Sequence, residues 1–250
     1  MPNFKLTIEY EGTNYHGWQK QKNKSTVQGV IEEAVKEAFK TEIHIIGQGR
    51  IDSGAHALGQ VAHFKVGKEF APLALRRALN SLLPRDIRIK NVEIVGDDFH
   101  SRYSAKLRHY RYLIYSNDGP SVWLRRFAHF YPYRVDIEKM YRATNFLIGE
   151  HDFSSFQSSG SIVRNPVREI TSIEINRKKI WNSFPELIMF DIKANAFLYR
   201  MVRNIVGTLL EVGRGKITPE EIKRILELKD RKELSSPVPA YGLYLVEVEY

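Results

Sequence analysis

Cysteine is absent from the 250 residues. That excludes a disulfide framework, thiolate zinc sites, cysteine-ligated iron–sulfur clusters and a cysteine nucleophile. Long apolar runs are missing too: none approaches the roughly 18 residues of a membrane-spanning helix. The first residues, Met1-Pro2-Asn3-Phe4-Lys5, are not followed by the apolar stretch of a secretory leader, so the cytoplasm is the expected compartment. Acids are in deficit, 29 against 38 Lys and Arg, for a net charge of +9. A chain 43% hydrophobic and 27% charged is neither disordered nor membrane-embedded. It is long enough to bury one or two cores. Its positive balance favours an anionic partner, and nucleic acid is the usual one.

Hydrophobic periodicity then sets an order of elements. Phe4, Leu6, Ile8 and Tyr10 alternate as in a half-buried strand. Val27, Val30, Ile31, Ala34, Val35 and Ala38 recur at helical spacing after Ser25 and Thr26, both suitable caps. Strands are expected at 43–49 and 60–66, a helix at 71–82 between Pro72 and Pro84, and a strand at 87–95. This is the β-α-β-β-α-β order of a ferredoxin-like unit. The second half repeats it: strand 110–115, helix 137–148 capped by Asp136, strands 167–175 and 186–192, helix 197–212, a short helix 219–228, and a last strand 244–250. The expected fold is therefore α+β. Two similar ferredoxin-like halves, 1–105 and 106–250, would carry mainly antiparallel sheet with an active-site cleft between them. Residues 11–25, 116–135 and 151–165 break the pattern as loops, and loops this long are often functional.

Charge is uneven. Residues 99–135 hold seven cations (Arg102, Lys106, Arg108, Arg111, Arg125, Arg126 and Arg134) against one acid, Asp118. Nine Tyr, Trp and Phe side chains are interleaved with them beyond Phe99, a composition suited to phosphate contact and base stacking. The alternative is a solvated face whose rings point into the core. The histidines do not fall at ligand spacing, so no metal site is expected. Gly47-Gln48-Gly49 is too short for a dinucleotide fingerprint.

One segment carries chemistry. Gly49-Arg50-Ile51-Asp52-Ser53-Gly54-Ala55-His56-Ala57 lies between two expected strands, with Asp52 flanked by Arg50 and two glycines. Gly49 and Gly54 would let a backbone or a planar ligand come close. A carboxylate kept ionised can act as nucleophile or base. The plainer reading is an Asx-turn.

The segment resembles the signature loop of the TruA-type tRNA pseudouridine synthases, G-R-T-D-A-G-V-H-A. The resemblance continues through Tyr10-Glu11-Gly12-Thr13-Asn14-Tyr15-His16-Gly17-Trp18-Gln19-Lys20-Gln21 and Thr26-Val27-Gln28-Gly29. It runs on through Phe99-His100-Ser101-Arg102-Tyr103-Ser104-Ala105 and Arg108-His109-Tyr110-Arg111-Tyr112. Residues 197–207 resemble the family's late helix, and Pro239-Ala240-Tyr241-Gly242-Leu243 its C-terminal turn. Ile51, Ser53 and Ala55 depart from the usual Thr, Ala and Val, none of which carries a reacting group.

The resemblance implies an isomerase that converts uridine to pseudouridine in the anticodon arm of tRNA, at positions 38 to 40, without metal or organic cofactor. It implies a homodimer. It makes Asp52 the essential aspartate, acting by addition to uracil C6, by capture of ribose C1′, or by proton removal at C2′. Arg203 matches the arginine that pairs with that aspartate; otherwise it would be a helix-surface charge. Tyr110 matches the tyrosine that stacks on the uracil; otherwise it would be a core residue. Arg50 resembles the arginine that fills the space of the extruded nucleotide, since the reacting atoms are hidden in a stacked stem. Leu245 is the expected apolar floor under the base. Arg108, Arg111, Arg125 and Arg126 are the expected tRNA contacts. Two other readings are a non-catalytic RNA-binding module, against which the Lys/Arg-Gly-Phe/Tyr-Gly/Ala-Phe-Val motif is lacking, and a phosphodiester hydrolase using Asp52 with His56.

Overall fold

The computed structural model describes residues 1–160, 163–180, 184–234 and 236–250. Residues 161 and 162 of the expected loop 151–165 lie outside these. Contacts divide the chain into two compact units: Met1–Lys106 with Tyr244–Tyr250, and Leu107–Leu243.

In the first unit, strands β1 (Asn3–Tyr10), β2 (Ile46–Gly47), β3 (His56–Lys65), β4 (Ile87–Val95) and β10 (Leu243–Glu249) accompany helices α1 (Val27–Phe39) and α2 (Pro72–Leu82). The strand order is β4-β1-β3-β10, with β2 also on β3. The alternation read in β1 is what buries Phe4, Leu6 and Ile8 completely. Phe4 meets Phe39 of α1 and Phe64 of β3 at 6.2 and 5.5 Å between ring centres. Helix α1 starts where Thr26 accepts a hydrogen bond from the Gly29 amide and stops at Lys40, whose backbone is left-handed. Pro72 opens α2, where its missing N–H costs nothing.

Strand β10 was expected in the second half. It pairs in parallel with β3, Tyr244 opposite His56 and Leu245 opposite Ala57, and so belongs to the first unit. Strand β2 is only two residues long where seven were expected. A Cβ at Gly47 would lie 2.3 Å from Nε1 of Trp18, so the chain turns from sheet to loop against that indole.

In the second unit, the strand order is β5-β9-β8-β7, for β5 (Leu107–Tyr115), β7 (Gly149–Asp152), β8 (Val167–Lys178) and β9 (Leu187–Ala194). The two-residue β6 (His129–Phe130) runs parallel to the end of β5. Strand β6 falls within the expected loop 116–135, and β7 runs into the expected loop 151–165. Among the described residues, the α-helices of the unit are α3 (Ile137–Thr144), α4 (Met201–Gly213) and α5 (Glu221–Leu228). Asp136 caps α3, accepting from the Lys139 amide. Helix α4 begins at Met201 rather than at Phe197, because Arg200 stands at its N-cap with φ +59°. That left-handed residue interrupts the helical pattern and leaves Phe197 to turn its ring edge-on to Tyr110, 5.0 Å away. Nearly every residue of α4 is buried, the expected fate of a helix apolar on most sides. Among the described residues no helix is long and apolar enough to cross a membrane.

Candidate active site

The loop carrying Asp52 is held by the N-terminal loop that precedes α1. Trp18 N–H donates to the Ile51 carbonyl (3.2 Å), and Gly54 N–H donates to the Tyr15 carbonyl (3.3 Å). Ser53 Oγ donates to the same Tyr15 carbonyl (3.1 Å). Ala55 N–H closes a turn onto the Asp52 carbonyl (3.2 Å). Gly54 takes φ +78° in that turn, a conformation glycine adopts without strain.

Two glycines outside the signature loop approach it closely. A Cβ on Gly12 would sit 1.8 Å from the Ala55 carbonyl oxygen, and one on Gly17 would sit 2.6 Å from that of Ile51. At Gly49 nothing lies within 4 Å. The Gly12 amide also donates to Nδ1 of buried His56 (3.1 Å), and the His56 ring stacks on Tyr244 at 4.8 Å.

The start of α1 completes this framework. Gln28 is buried; its Oε1 accepts from the Lys20 amide and from Gln19 Nε2, and its Nε2 donates to the Ile45 carbonyl. The three stretches singled out as motifs near the N-terminus are thus one hydrogen-bonded assembly. It holds Asp52 half-buried and Arg50 exposed, and leads directly into the end of β3 where Ala57 faces the fully buried Leu245.

In the second unit, Tyr110 is buried on β5, one face with Tyr112 and Ile114. Arg203 is 8% exposed, so it is no surface charge. Its Nε donates to the Val238 carbonyl (2.6 Å), and Tyr112 Oη donates to the neighbouring Pro239 carbonyl (2.7 Å). Gly242 follows in the same turn, where a Cβ would lie 2.8 Å from the Tyr112 ring. The C-terminal motif is therefore the strap that α4 and β5 grip.

The four arginines expected to touch tRNA are placed differently from one another. Arg108 is buried and donates to the Asn195 carbonyl. Arg111 is forked onto Asp191, Nε to Oδ1 at 2.8 Å and Nη2 to Oδ2 at 3.2 Å. Arg125 is exposed and donates from Nε to the Val122 carbonyl, and Arg126 is half-buried.

Asp191 was not among the expected site residues; its signal was a lone acid in the otherwise apolar alternation of β9. It also binds His109 Nε2, at 2.6 Å. Burial pushes its carboxyl up, but the hydrogen bonds from His109 and Arg111 and their charges outweigh it and hold the group below the ordinary aspartate range. Asp191→Asn is expected to destabilise the fold by about 2 kcal/mol at neutral pH, read as a lower unfolding midpoint. A lowered folded pKa means this stability is complete above the ordinary range and lost as pH falls through the folded value. Wild type and variant should therefore converge in acid. Among the described residues no group of three or more His, Asp or Glu is placed to hold a metal ion.

The family model described as tRNA pseudouridine synthase matches residues 6–104 and 143–250. The chain belongs to this family. Among its relatives are proteins named tRNA pseudouridine synthase A from Acetivibrio thermocellus, 48% identical, Caldicellulosiruptor saccharolyticus, 46%, and Caldicellulosiruptor bescii, 45%, each over 250 residues and 100% of both chains. A solved Cbf5-Nop10-Gar1 complex aligns at 14% identity over 82% of this chain and 54% of that one, with a TM-score of 0.35, too low to bear on fold or function. As a pseudouridine synthase the protein is an isomerase. The matched segments contain Arg50, Asp52, Arg203 and Leu245. Tyr110, Arg108, Arg111, Arg125 and Arg126 lie in the stretch between them, which the full-length relatives span.

Proposed function

We propose that this pseudouridine synthase converts uridine to pseudouridine in the anticodon stem-loop of tRNA, at positions 38, 39 and 40. Asp52 is its nucleophile, and the target uridine is extruded from the stem. The observation that carries this reading is the wiring of the Asp52 loop. Main-chain bonds and two glycines crowded against carbonyls hold it, a rigidity that fits a carboxylate required to meet one atom of a flipped nucleotide.

The bonds balance without a co-reactant. The glycosidic bond from C1′ to N1 breaks, the base turns, a bond from C1′ to C5 forms, and the hydrogen of C5 leaves while N1 gains one. Asp52 must be ionised to act, and Arg203, a guanidinium kept out of bulk water, is proposed as its counter-charge. Tyr110 stacks on the uracil, and its hydroxyl assists removal of the C5 proton. Leu245 is the dry floor beneath the base, and Arg50 fills the gap left in the stem. Of the four arginines expected to neutralise tRNA phosphates, Arg125 and Arg126 keep that role here, whereas Arg108, buried against the Asn195 carbonyl, and Arg111, whose charge Asp191 already matches, hold β5 instead. The relatives' shared designation as tRNA enzymes, together with the net positive charge, supports tRNA as substrate. The enzyme is further proposed to act in the cytoplasm as a homodimer that holds one tRNA across both subunits.

The test is release of tritium from tRNA labelled at C5 of its uridines, with the product run on a denaturing gel. Label should be released while chain length stays constant. Shortened RNA would support a hydrolase built on Asp52 and His56 instead. Bound tRNA with no label released would support a non-catalytic binder.

A further inference from the structure

The segment Phe99-His100-Ser101-Arg102-Tyr103-Ser104-Ala105 matches a family motif, yet none of its residues has a place in the chemistry above. Its internal bonding is dense. Ser101 is completely buried. Its Oγ donates to the Ile46 carbonyl (2.6 Å), its amide donates to Nδ1 of His63 (3.2 Å), and its carbonyl accepts from Tyr250 Oη (2.8 Å). Phe99 packs on Tyr250 with ring centres 4.9 Å apart. His100 and Ser104 bind each other twice: His100 N–H donates to Ser104 Oγ (3.0 Å), and Ser104 N–H donates to the His100 carbonyl (2.9 Å). Nδ1 of His100 accepts from the amides of both Arg102 and Tyr103.

This wiring fixes the backbone of a turn from which two long side chains point outward. Tyr103 is 78% exposed, a large ring carried on a densely hydrogen-bonded support. Its inner side lies against His100, ring centres 4.4 Å apart and planes 31° from parallel. His100 in turn meets His63 at 4.9 Å. The result is a short column of rings, rooted in a buried histidine and ending on an open aromatic face. The Arg102 guanidinium lies 5.7 Å from the Tyr103 ring centre. Lys106 is exposed just beyond, and residues 99–106 contain no acid.

We infer that Tyr103 is a stacking platform for an unpaired base of the bound tRNA, other than the reacting uridine, with Arg102 facing the adjoining phosphate. The inference rests on tRNA being the substrate, as proposed above. One ring beside a guanidinium is a poor seed for a protein interface, which needs contiguous apolar area. It suits a nucleotide, which offers a π-face and a negative charge side by side. The immobile turn adds to affinity, because little ordering is left to do on binding.

Steady-state tritium release from C5-labelled tRNA tests this with Tyr103→Ala and Tyr103→Phe. The Ala variant should raise KM about tenfold with kcat within about twofold of wild type. The Phe variant should match wild type, because stacking needs the ring and not the hydroxyl. The unfolding midpoint of the Ala variant should be unchanged, since an exposed ring is removed. Filter retention of unlabelled tRNA should show the same tenfold loss. An unaltered KM for the Ala variant would overturn the inference, as would a Phe variant as impaired as Ala. So would a change in sedimentation of the Ala variant without tRNA, which would mark a contact with a second copy. Should wild type bind tRNA and release no tritium, the enzymatic reading fails, while the binding measurement still decides the platform.

Discussion

Asp52→Asn is expected to lower tritium release from C5-labelled tRNA by about 10⁴-fold or more, while tRNA binding stays within about threefold of wild type. The structural bonds that fix the loop run through the amides and carbonyls of residues 51, 52, 54 and 55 and through Ser53 Oγ. An isosteric amide leaves those in place. What it removes is the negative charge, and attack by Asp52 needs that charge. Retained activity would mean that another group attacks the substrate. Lost binding would mean that the carboxylate serves the loop more than the chemistry.

The second large effect is expected at Gly12, outside the signature loop. Gly12→Ala places a methyl group 1.8 Å from the Ala55 carbonyl oxygen and 2.7 Å from its carbon. Both obstacles are backbone, so no side chain can swing aside. The N-terminal loop must move off the Asp52 loop, and the bond from the Gly12 amide to His56 is strained with it. A displacement on the order of 1 Å at a reacting group can lower a rate about hundredfold. A fall of that size in kcat is expected, with a lower unfolding midpoint. Gly49→Ala supplies the contrast: with nothing within 4 Å of the new methyl group, its stability should stay within about 0.5 kcal/mol of wild type. Equal effects at the two glycines would show that packing between the loops does not govern the rate.

Gly12 also marks where the sequence stops being legible. The strands and helices with clear periodicity, such as β1 and α1, could be read because their signals are local: alternation, a capping Thr, an apolar face. The Asp52 loop stood out by composition and then by resemblance. Local signals could not identify which glycines are crowded, because the crowding atoms belong to residues tens of positions away. Nor could they show that Arg111 is forked onto Asp191 across the β5–β9 pair, or that Arg200 turns left-handed and shortens α4. The burial of Arg203 is legible locally, since Met201, Val202, Ile205 and Val206 around it imply an apolar setting. For the crowded glycines and for Arg111 the missing information was the identity of a distant partner.

Strand β10 carries a consequence for biosynthesis. The first unit takes the β10 residues from Tyr244 onward from beyond the whole of the second unit. At translation speeds of about 5–20 residues per second, the ribosome needs on the order of ten seconds to make the intervening chain. Throughout that time the nascent first unit has no Tyr244 or Leu245 to lay beside His56 and Ala57, the two residues that directly follow the Asp52 loop. That end of β3 stays an open edge, able to recruit a foreign strand. The carboxylate proposed to do the chemistry is thus next to one of the last parts of its own unit to be sealed, and a ribosome that stalls within the second unit leaves that seam unclosed.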